Sequence, residues 1–216
     1  MNASNSNDLR RSSVIPPALL SVIGMWLAQP PLEFWWLGFV ALLPLIQLIA
    51  LKQRFSRRDY LIIWFVASLY WLFSLQGLRH AHPLMYGPWL ALGVYLAVYQ
   101  TVFVAFSRYL CHRGISLLVV VPLAWVAQEY LRNYLLTGIS VLSLGHVLVN
   151  VPILVQVADL FGGYGVSALL ALANLFAWQT IQVCRRKIKR SQYGWTLVIT
   201  LTSFLAVLAY GNFRLN

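Results

Sequence analysis

The positive charges of this chain lie between long apolar runs, and nearly all of them fall in alternate gaps. Thirteen of the 16 Lys and Arg residues precede the first run or follow the second, the fourth and the sixth. These thirteen are Arg10, Arg11, Lys52, Arg54, Arg57, Arg58, Arg108, Arg113, Arg185, Arg186, Lys187, Lys189 and Arg190. Cytoplasmic loops of membrane proteins retain Lys and Arg in this way. The alternation therefore predicts the number of membrane crossings and their direction.

The composition is typical of a protein that is embedded in a bilayer. The chain is 60% apolar and 10% charged, whereas a soluble domain carries about 25% charged residues. Its mean hydropathy is +0.72. A net charge of +11 would suggest nucleic acid as the partner of a soluble protein. Here the cations lie in predicted cytoplasmic loops without base-stacking aromatics, so we expect anionic lipid headgroups as partners and no nucleic acid.

Seven apolar segments approach the length of about 20 residues that a helix needs to cross a bilayer. They cover residues 13–29, 32–51, 60–78, 86–106, 115–131, 165–183 and 193–210. We predict an all-α, polytopic transmembrane helix bundle of seven spans, with the N-terminus in the cytoplasm and the C-terminus outside. Pro30 and Pro31 separate the first two segments, as a helical hairpin requires. Whether the first segment spans the membrane or is re-entrant stays open, because both alternatives give the same downstream orientation.

The prediction divides the chain into three parts. Residues 1–12 form a polar, disordered N-terminus, residues 13–210 form the bundle, and residues 211–216 form an extracytoplasmic tail. Within the bundle, residues 132–164 make the longest stretch between spans, and we call this stretch the outer segment. It is apolar and punctuated by Gly138, Gly145 and Pro152. A segment of this composition is expected to lie along the membrane surface or to fold back into the bundle.

Glu129 is the most informative acidic residue, because it lies near the outer end of the fifth span. Arg132 follows three residues later, so the two side chains share one helical face. An ionisable group at membrane depth usually faces the bundle interior and has a partner. Two interpretations stay open for this pair. It is a structural ion pair that ties the outer segment to the helix, or it lines a polar path for a lipid headgroup.

Other polar residues of the outer segment are candidates for contact with lipid. Gln156 and Asp159 are three residues apart and share one face if helical. Tyr164 lies in Gly163-Tyr164-Gly165, which lacks the Thr-Val of a potassium filter and is interpreted as a glycine-rich turn that opens the sixth helix. His146 follows Leu144-Gly145 and is a candidate for contact with a headgroup.

The sequence contains no recognisable catalytic or cofactor motif. There is no Ser–His–Asp arrangement, His-Glu-x-x-His, P-loop or dinucleotide fingerprint. His80 and His82 have no third ligand nearby, so we expect no metal and no cofactor. Cys111 and Cys184 lie at predicted cytoplasmic ends of helices with neighbouring Arg, far from Glu129 and the outer segment, so we expect neither to be a catalytic thiol. The residues alone therefore predict a basic seven-span membrane protein without an evident active site.

An ordered set of motifs nevertheless points to one family. Residues 122–132 read PLAWVAQEYLR, residues 136–138 read LTG, and residues 155–167 read VQVADLFGGYGVS. Pro30-Pro31 with Trp35-Trp36-Leu37 and the Tyr70-Trp71-Leu72 triplet lie upstream. This set resembles the membrane domain of bacterial apolipoprotein N-acyltransferase over nearly the whole chain. Two departures occur: Ile139-Ser140-Val141 replaces an aromatic Phe-Pro-Trp, and His146 replaces an aromatic residue.

The resemblance implies a multi-pass protein of the bacterial cytoplasmic (inner) membrane that serves lipoprotein maturation. Such enzymes transfer an acyl chain from a phospholipid to the N-terminal amine of a lipoprotein's diacylglyceryl-cysteine. A Glu-Lys-Cys triad carries this chemistry, in an extracytoplasmic nitrilase-like domain that follows the seventh span. No residue of this chain matches the triad. The chain ends at Asn216, where that domain would begin.

We therefore expect the membrane half of an N-acyltransferase, as a truncated or split form or as a paralogue that kept the bundle. The expected partners are membrane phospholipid, a separate nitrilase-like domain and, once assembled, a lipoprotein. We expect no catalytic residue here and no acyl transfer by the chain alone. The candidates for the lipid path are Glu129, Arg132, His146, Gln156, Asp159 and Tyr164. A non-enzymatic scaffold or lipid-binding protein is the alternative; the absence of inverted repeats argues against a transporter.

Overall fold

The structure is a computed structural model that describes residues 13–136, 138–187 and 190–216, with the side chains of residues 190–192 left aside. The predicted disordered N-terminus and Thr137 of the LTG motif lie outside the described residues. In the described part the α-helices are α1 (Ile15–Ala28), α2 (Leu43–Ala50), α3 (Arg57–Ser74), α4 (Tyr86–His112), α5 (Leu117–Tyr134), α6 (Pro152–Val155), α7 (Ala158–Cys184) and α8 (Arg190–Leu215). Short 3₁₀ helices cover Trp35–Phe39, Gln76–His80, Pro83–Met85 and Leu144–Leu148. The predicted all-α class is confirmed.

Within the described ranges, three helices are long and apolar enough to cross a membrane: Pro83–His112, Ala158–Cys184 and Tyr193–Leu215. They coincide with the predicted fourth, sixth and seventh spans. α3 and α5 coincide with the third and fifth, at 18 residues each. The number of crossings and the direction of the termini stay predictions.

The second apolar segment, predicted as one helix over residues 32–51, is broken in the structure. A 3₁₀ helix covers Trp35–Phe39, and α2 begins only at Leu43. Asn174 of α7 bridges the break, because its Oδ1 accepts the Leu42 N–H at 2.8 Å and its Nδ2 donates to the Gly38 carbonyl at 2.7 Å. An irregular backbone at membrane depth is stable only where protein groups replace the missing helical bonds. Periodicity cannot show a partner this remote.

Aromatic side chains fill the centre of the bundle, where α3, α4 and α5 pack together. Trp71, Trp125, Tyr70 and Phe103 are among the largest fully buried side chains. The Phe103 and Trp125 rings meet edge to face, with centroids 4.9 Å apart. Such pairs contribute about 0.5–1.5 kcal/mol beyond the burial of their area. This aromatic layer lies directly against the polar residues that α5 carries at its C-terminal end.

The outside of the bundle is apolar. Large side chains such as Phe65, Leu123 and Leu205 are 61%, 62% and 65% exposed. A monomeric soluble protein rarely exposes apolar patches of large extent, whereas a bilayer solvates them. The surface therefore agrees with the composition in indicating a lipid environment.

Arg108 organises the end of the bundle that is predicted to be cytoplasmic. Its guanidinium donates hydrogen bonds to four backbone carbonyls. One is that of Leu48, and the other three are those of Ile49 (3.4 Å), Leu51 (2.9 Å) and Gln53 (2.6 Å). These carbonyls belong to the C-terminal end of α2 and the loop after it, where a helix dipole favours a cation. Arg108 is only 3% exposed. It therefore acts as a buried cap and not, as the charge pattern suggested, as a cation free in a loop.

Candidate functional site

Glu129 lies on α5 at the point where the chain leaves the bundle for the outer segment. Its Oε1 accepts the indole N–H of Trp125, one turn earlier, at 2.9 Å. The same oxygen accepts the backbone N–H of Leu144 at 2.7 Å. Glu129 is 1% exposed, so both hydrogen bonds lie away from solvent. The carboxylate thus ties the 3₁₀ helix Leu144–Leu148 to α5.

Arg132 is 3% exposed and binds the same stretch of chain from the next turn of α5. Its Nη2 donates to Ser143 Oγ at 3.0 Å, and its guanidinium carbon lies 5.0 Å from the centre of the Trp71 ring. Gln29, at the end of α1, donates to the Ser143 carbonyl at 3.2 Å. Ser143 therefore joins α1 and α5 to the outer segment.

Of the two interpretations left open for Glu129 and Arg132, the direct ion pair is not what the structure shows. Within the described chain, neither a hydrogen bond nor an ion pair joins the two side chains. The i, i+3 spacing places them on one face, but the outer segment inserts a backbone N–H and a hydroxyl that each side chain binds instead. The two charges act through the loop that they hold.

Several polar atoms of this cluster, all in described residues, have no hydrogen-bond partner. They are Glu129 Oε2, Arg132 Nε, the Tyr70 hydroxyl and Trp71 Nε1. Buried polar atoms of this kind usually bond to ordered water. The region beneath the outer segment therefore contains unpartnered polar atoms, although aromatic rings enclose it.

His146 lies in the 3₁₀ helix that Glu129 holds. Its side chain is exposed, while its neighbours Gly145 and Val147 are buried. Loss of water around part of the ring lowers the pKa of His146 below its ordinary value, and the nearby Glu129 carboxylate opposes this effect. The exposed ring is available as a hydrogen-bonding group at the surface.

The outer segment packs closely against α7. The Gly145 N–H donates to Ser167 Oγ at 2.9 Å. A Cβ on Gly145 would lie 2.8 Å from the Gly163 carbonyl oxygen, so only glycine fits. α7 itself changes direction at Gly162, where φ is 64° and ψ is −174°. The glycine-rich turn predicted at the start of the sixth span is therefore present, and it shapes the surface that receives Gly145.

Asp159 binds the last turn of α8. Its Oδ2 accepts from Arg214 Nε at 3.0 Å and from Nη2 at 2.8 Å. α8 also approaches α6 closely, because a Cβ on Gly211 would lie 2.0 Å from the Ile153 carbonyl oxygen. These two contacts hold the end of α8 beside the outer segment. Gln156 is half-buried between α6 and α7, and its N–H donates to the Pro152 carbonyl at 3.3 Å.

Tyr164 lies at one end of an apolar groove between α5, α7 and α8. The groove has a volume of about 710 Å³, and Pro122, Ala168, Ala206 and Tyr210 are among its lining residues. The Tyr164 hydroxyl accepts a hydrogen bond from Asn133 Nδ2 at 2.6 Å. Because Leu123 and Phe161 of its wall are 62% and 67% exposed, the groove opens on the apolar surface of the bundle.

Comparisons with known proteins match this sequence to one family. A family model described as the apolipoprotein N-acyltransferase N-terminal domain matches residues 21–176. This chain belongs to the apolipoprotein N-acyltransferase family. An apolipoprotein N-acyltransferase of Rhodopirellula baltica is 39% identical in an alignment 207 positions long, which covers 89% of this chain and 36% of the relative. One of Geobacter metallireducens is 32% identical in an alignment 214 positions long, which covers 92% of this chain and 39% of the relative.

The resemblance stated from the motifs is thus confirmed, and the chain corresponds to the N-terminal domain of these N-acyltransferases. It spans less than two fifths of the length of the two relatives. The buried cluster at Glu129, the glycine contact at Gly145 and most of the groove lie within the matched residues. The end of α8, including Arg214, lies beyond them.

Five of the six residues predicted for a lipid path fall into three places. Glu129, Arg132 and His146 surround the held 3₁₀ helix, Tyr164 lines the groove, and Asp159 binds Arg214; Gln156 joins none of these. Sequence reasoning did not identify Ser143, Gln29 or Asn133. The spacing of Trp125 and Glu129 by four residues could have predicted their contact on one helical face. No local sequence pattern marks Ser143 and Leu144 of the outer segment as partners of Arg132 and Glu129.

Proposed function

We propose that this chain is the membrane domain that supports transfer of an acyl chain from phospholipid to a lipoprotein N-terminus. The Glu-Lys-Cys chemistry then belongs to a nitrilase-like domain, in the same polypeptide or a separate one. The observation that carries this proposal is the match of residues 21–176 to the N-terminal domain of the N-acyltransferases. The chain would anchor and orient the catalytic domain and give lipid a route to it.

We propose further that the bundle crosses the bacterial cytoplasmic membrane seven times, with its N-terminus inside. The alternation of Lys and Arg supports this arrangement, as does the apolar surface. Alkaline phosphatase fused after Asn216 should then be active, and the same enzyme fused after Arg113 should be inactive. The reverse pattern, or equal activity at both sites, would contradict the topology.

The groove is the part of the domain best suited to an acyl chain. Its walls are apolar and open on the lipid-facing surface, and its volume lies in the usual range of ligand pockets, about 300–1,000 Å³. Tyr164 and Tyr210 line it, and the contact between Asp159 and Arg214 holds the last turn of the same helix, α8. If the catalytic domain continues from this end of α8, an acyl chain in the groove lies beside it.

Complementation tests the function as a whole. The 216-residue chain is expressed alone and with a separately encoded nitrilase-like domain, in cells depleted of their own N-acyltransferase. The lipoprotein N-terminus is then read by mass spectrometry. We expect N-acylation only when both proteins are present. Acylation by the chain alone would refute the assignment of the chemistry to the other domain. No acylation by the pair, with both proteins detected in the membrane, would refute the proposal.

A matched pair of variants on α8 tests the groove in the same assay. Ala206 lines the groove, whereas Ala209 lies one turn further along the helix and is also exposed. Ala206→Phe should fill the groove and lower N-acylation, and Ala209→Phe should leave it unchanged. Equal effects of the two variants would show that the groove does not carry lipid.

A further inference from the structure

A second cavity lies at the opposite end of the bundle, among the loops predicted to be cytoplasmic. Its volume is about 840 Å³, and it is bounded by the end of α2, the turn between α4 and α5, and the facing sides of α7 and α8. Lys52 and His112 contribute to its lining, and among the described residues no acidic side chain does. The cavity is thus electropositive and separate from the outer segment.

The N-terminus of α5 opens into this cavity. Ser116 caps the helix by accepting the Leu118 N–H on its Oγ at 3.3 Å, and Ser116, Leu117 and Leu118 all line the space. The first turn of an 18-residue helix carries the positive end of its dipole and favours anions. Lys52 adds a full positive charge from the adjacent loop.

Two buried polar side chains on the opposite wall strengthen the case for a ligand. Thr196 of α8 is 1% exposed and Gln179 of α7 is 7% exposed, and both line the cavity. Thr196 Oγ1 and Gln179 Oε1 belong to the described atoms that have no hydrogen-bond partner. A hydroxyl with no partner in an apolar interior is costly unless a ligand or water binds it.

The remaining walls are apolar. Trp178 and Leu117 line the interior, and Trp195, which is 71% exposed, lies at the bundle surface. We propose that this cavity binds a phosphate ester, namely the headgroup of an anionic phospholipid of the cytoplasmic leaflet. The phosphate would lie between Lys52, the α5 N-terminus and the Thr196 hydroxyl, with the glycerol and upper acyl carbons against the apolar walls. Basic pockets between helices on this side of a membrane bind such lipids.

Thermal unfolding of the purified 216-residue chain in detergent tests this site. Phosphatidylglycerol, phosphatidylcholine and soluble glycerol 3-phosphate are titrated separately, and retained lipid is identified by native mass spectrometry. We expect phosphatidylglycerol to raise the Tm more than phosphatidylcholine does. Equal stabilisation by the two lipids would overturn the proposal. If glycerol 3-phosphate stabilises the chain with the same half-saturating concentration as phosphatidylglycerol, the site binds a soluble phosphate ester equally well. The assignment of the ligand to a membrane lipid is then refuted.

Two variants with matched controls locate the binding. Lys52→Gln should raise the half-saturating phosphatidylglycerol concentration about fivefold, while Arg54→Gln in the same loop should not. Thr196→Val should raise it about tenfold, while Thr202→Val on the exposed side of α8 should not. Because Val keeps the shape of Thr and removes a hydroxyl that has no partner, lipid-free Thr196→Val should be at least as stable as the parent. Equal loss of affinity in a variant and its control would overturn the assignment.

Discussion

Glu129 accepts the backbone N–H of Leu144 at 2.7 Å, and this bond closes a loop of 15 residues between α5 and the outer segment. The bond is buried, and the same oxygen also accepts the Trp125 indole. A charged acceptor makes hydrogen bonds roughly twice as strong as neutral ones do. The carboxylate of Glu129 is therefore one of the main attachments of the outer segment, beside the contacts of Arg132 and Gln29 with Ser143.

Glu129→Ala should destabilise the chain by roughly 3–5 kcal/mol, because Arg132 stays buried and two donors lose their acceptor. Glu129→Gln retains an amide oxygen for Leu144 and Trp125, so its loss of stability should be smaller. Thermal unfolding measures both changes. Hydrogen exchange at Leu144 should rise in the same order, and unchanged exchange in Glu129→Ala would contradict the role of the carboxylate in holding the segment.

The two glycines at the interface of the outer segment with α7 should differ sharply in their tolerance of a methyl group. A Cβ on Gly145 would lie 3.1 Å from Val166 Cβ and closer still to the Gly163 carbonyl. Gly145→Ala should cost about 1–3 kcal/mol, as overpacking does. At Gly163 a Cβ meets nothing within 4 Å, so Gly163→Ala should have little effect or raise the Tm. If both changes are neutral, the contact is less close than described.

Arg108→Lys tests whether the fork of the guanidinium is needed at the end of α2. A single ammonium cannot reach the carbonyls of Ile49, Leu51 and Gln53 together, so the variant should lose roughly 2 kcal/mol of stability. Arg113→Lys, five residues along on an exposed turn, is the control and should change stability by about 0.5 kcal/mol or less. Equal Tm values for the two variants would show that only the charge matters.

The sequence was sufficient for the features that depend on local composition. Apolar length predicted where helices lie, and the i, i+3 spacing placed Glu129 and Arg132 on one face. The glycines at residues 162–165 predicted a turn, which occurs at Gly162. Each of these three features depends on residues that lie within one or two helical turns of each other. The spacing of residue types along the sequence can therefore predict them.

The features that the sequence did not predict depend on distant partners. The break in the second segment is stabilised by Asn174, 132 residues beyond Leu42, and no periodicity reveals that acceptor. Leu144 and Ser143 bind Glu129 and Arg132 in place of the direct ion pair, which was one of the two interpretations. The loop offers this donor and this acceptor at positions that only the fold determines. Arg108 was interpreted as a cation of a cytoplasmic loop. Counting charges cannot distinguish an arginine that is buried against the end of a helix from one that is exposed in a loop.

The contact between Asp159 and Arg214 should contribute little to stability and more to orientation. Both side chains are half exposed, at 44% and 50%, and exposed ion pairs are worth about 0–1 kcal/mol. Asp159→Asn, Arg214→Gln and the double variant should therefore unfold within about 1 kcal/mol of the parent, with any coupling reduced by salt. In the two-part N-acylation assay the same variants should lower product formation, because the end of α8 is then free to turn away from the outer segment. A charge-reversed pair, Asp159→Arg with Arg214→Asp, should restore activity above either single change. Loss of activity that the reversed pair does not restore would mean that Asp159 itself contacts the substrate.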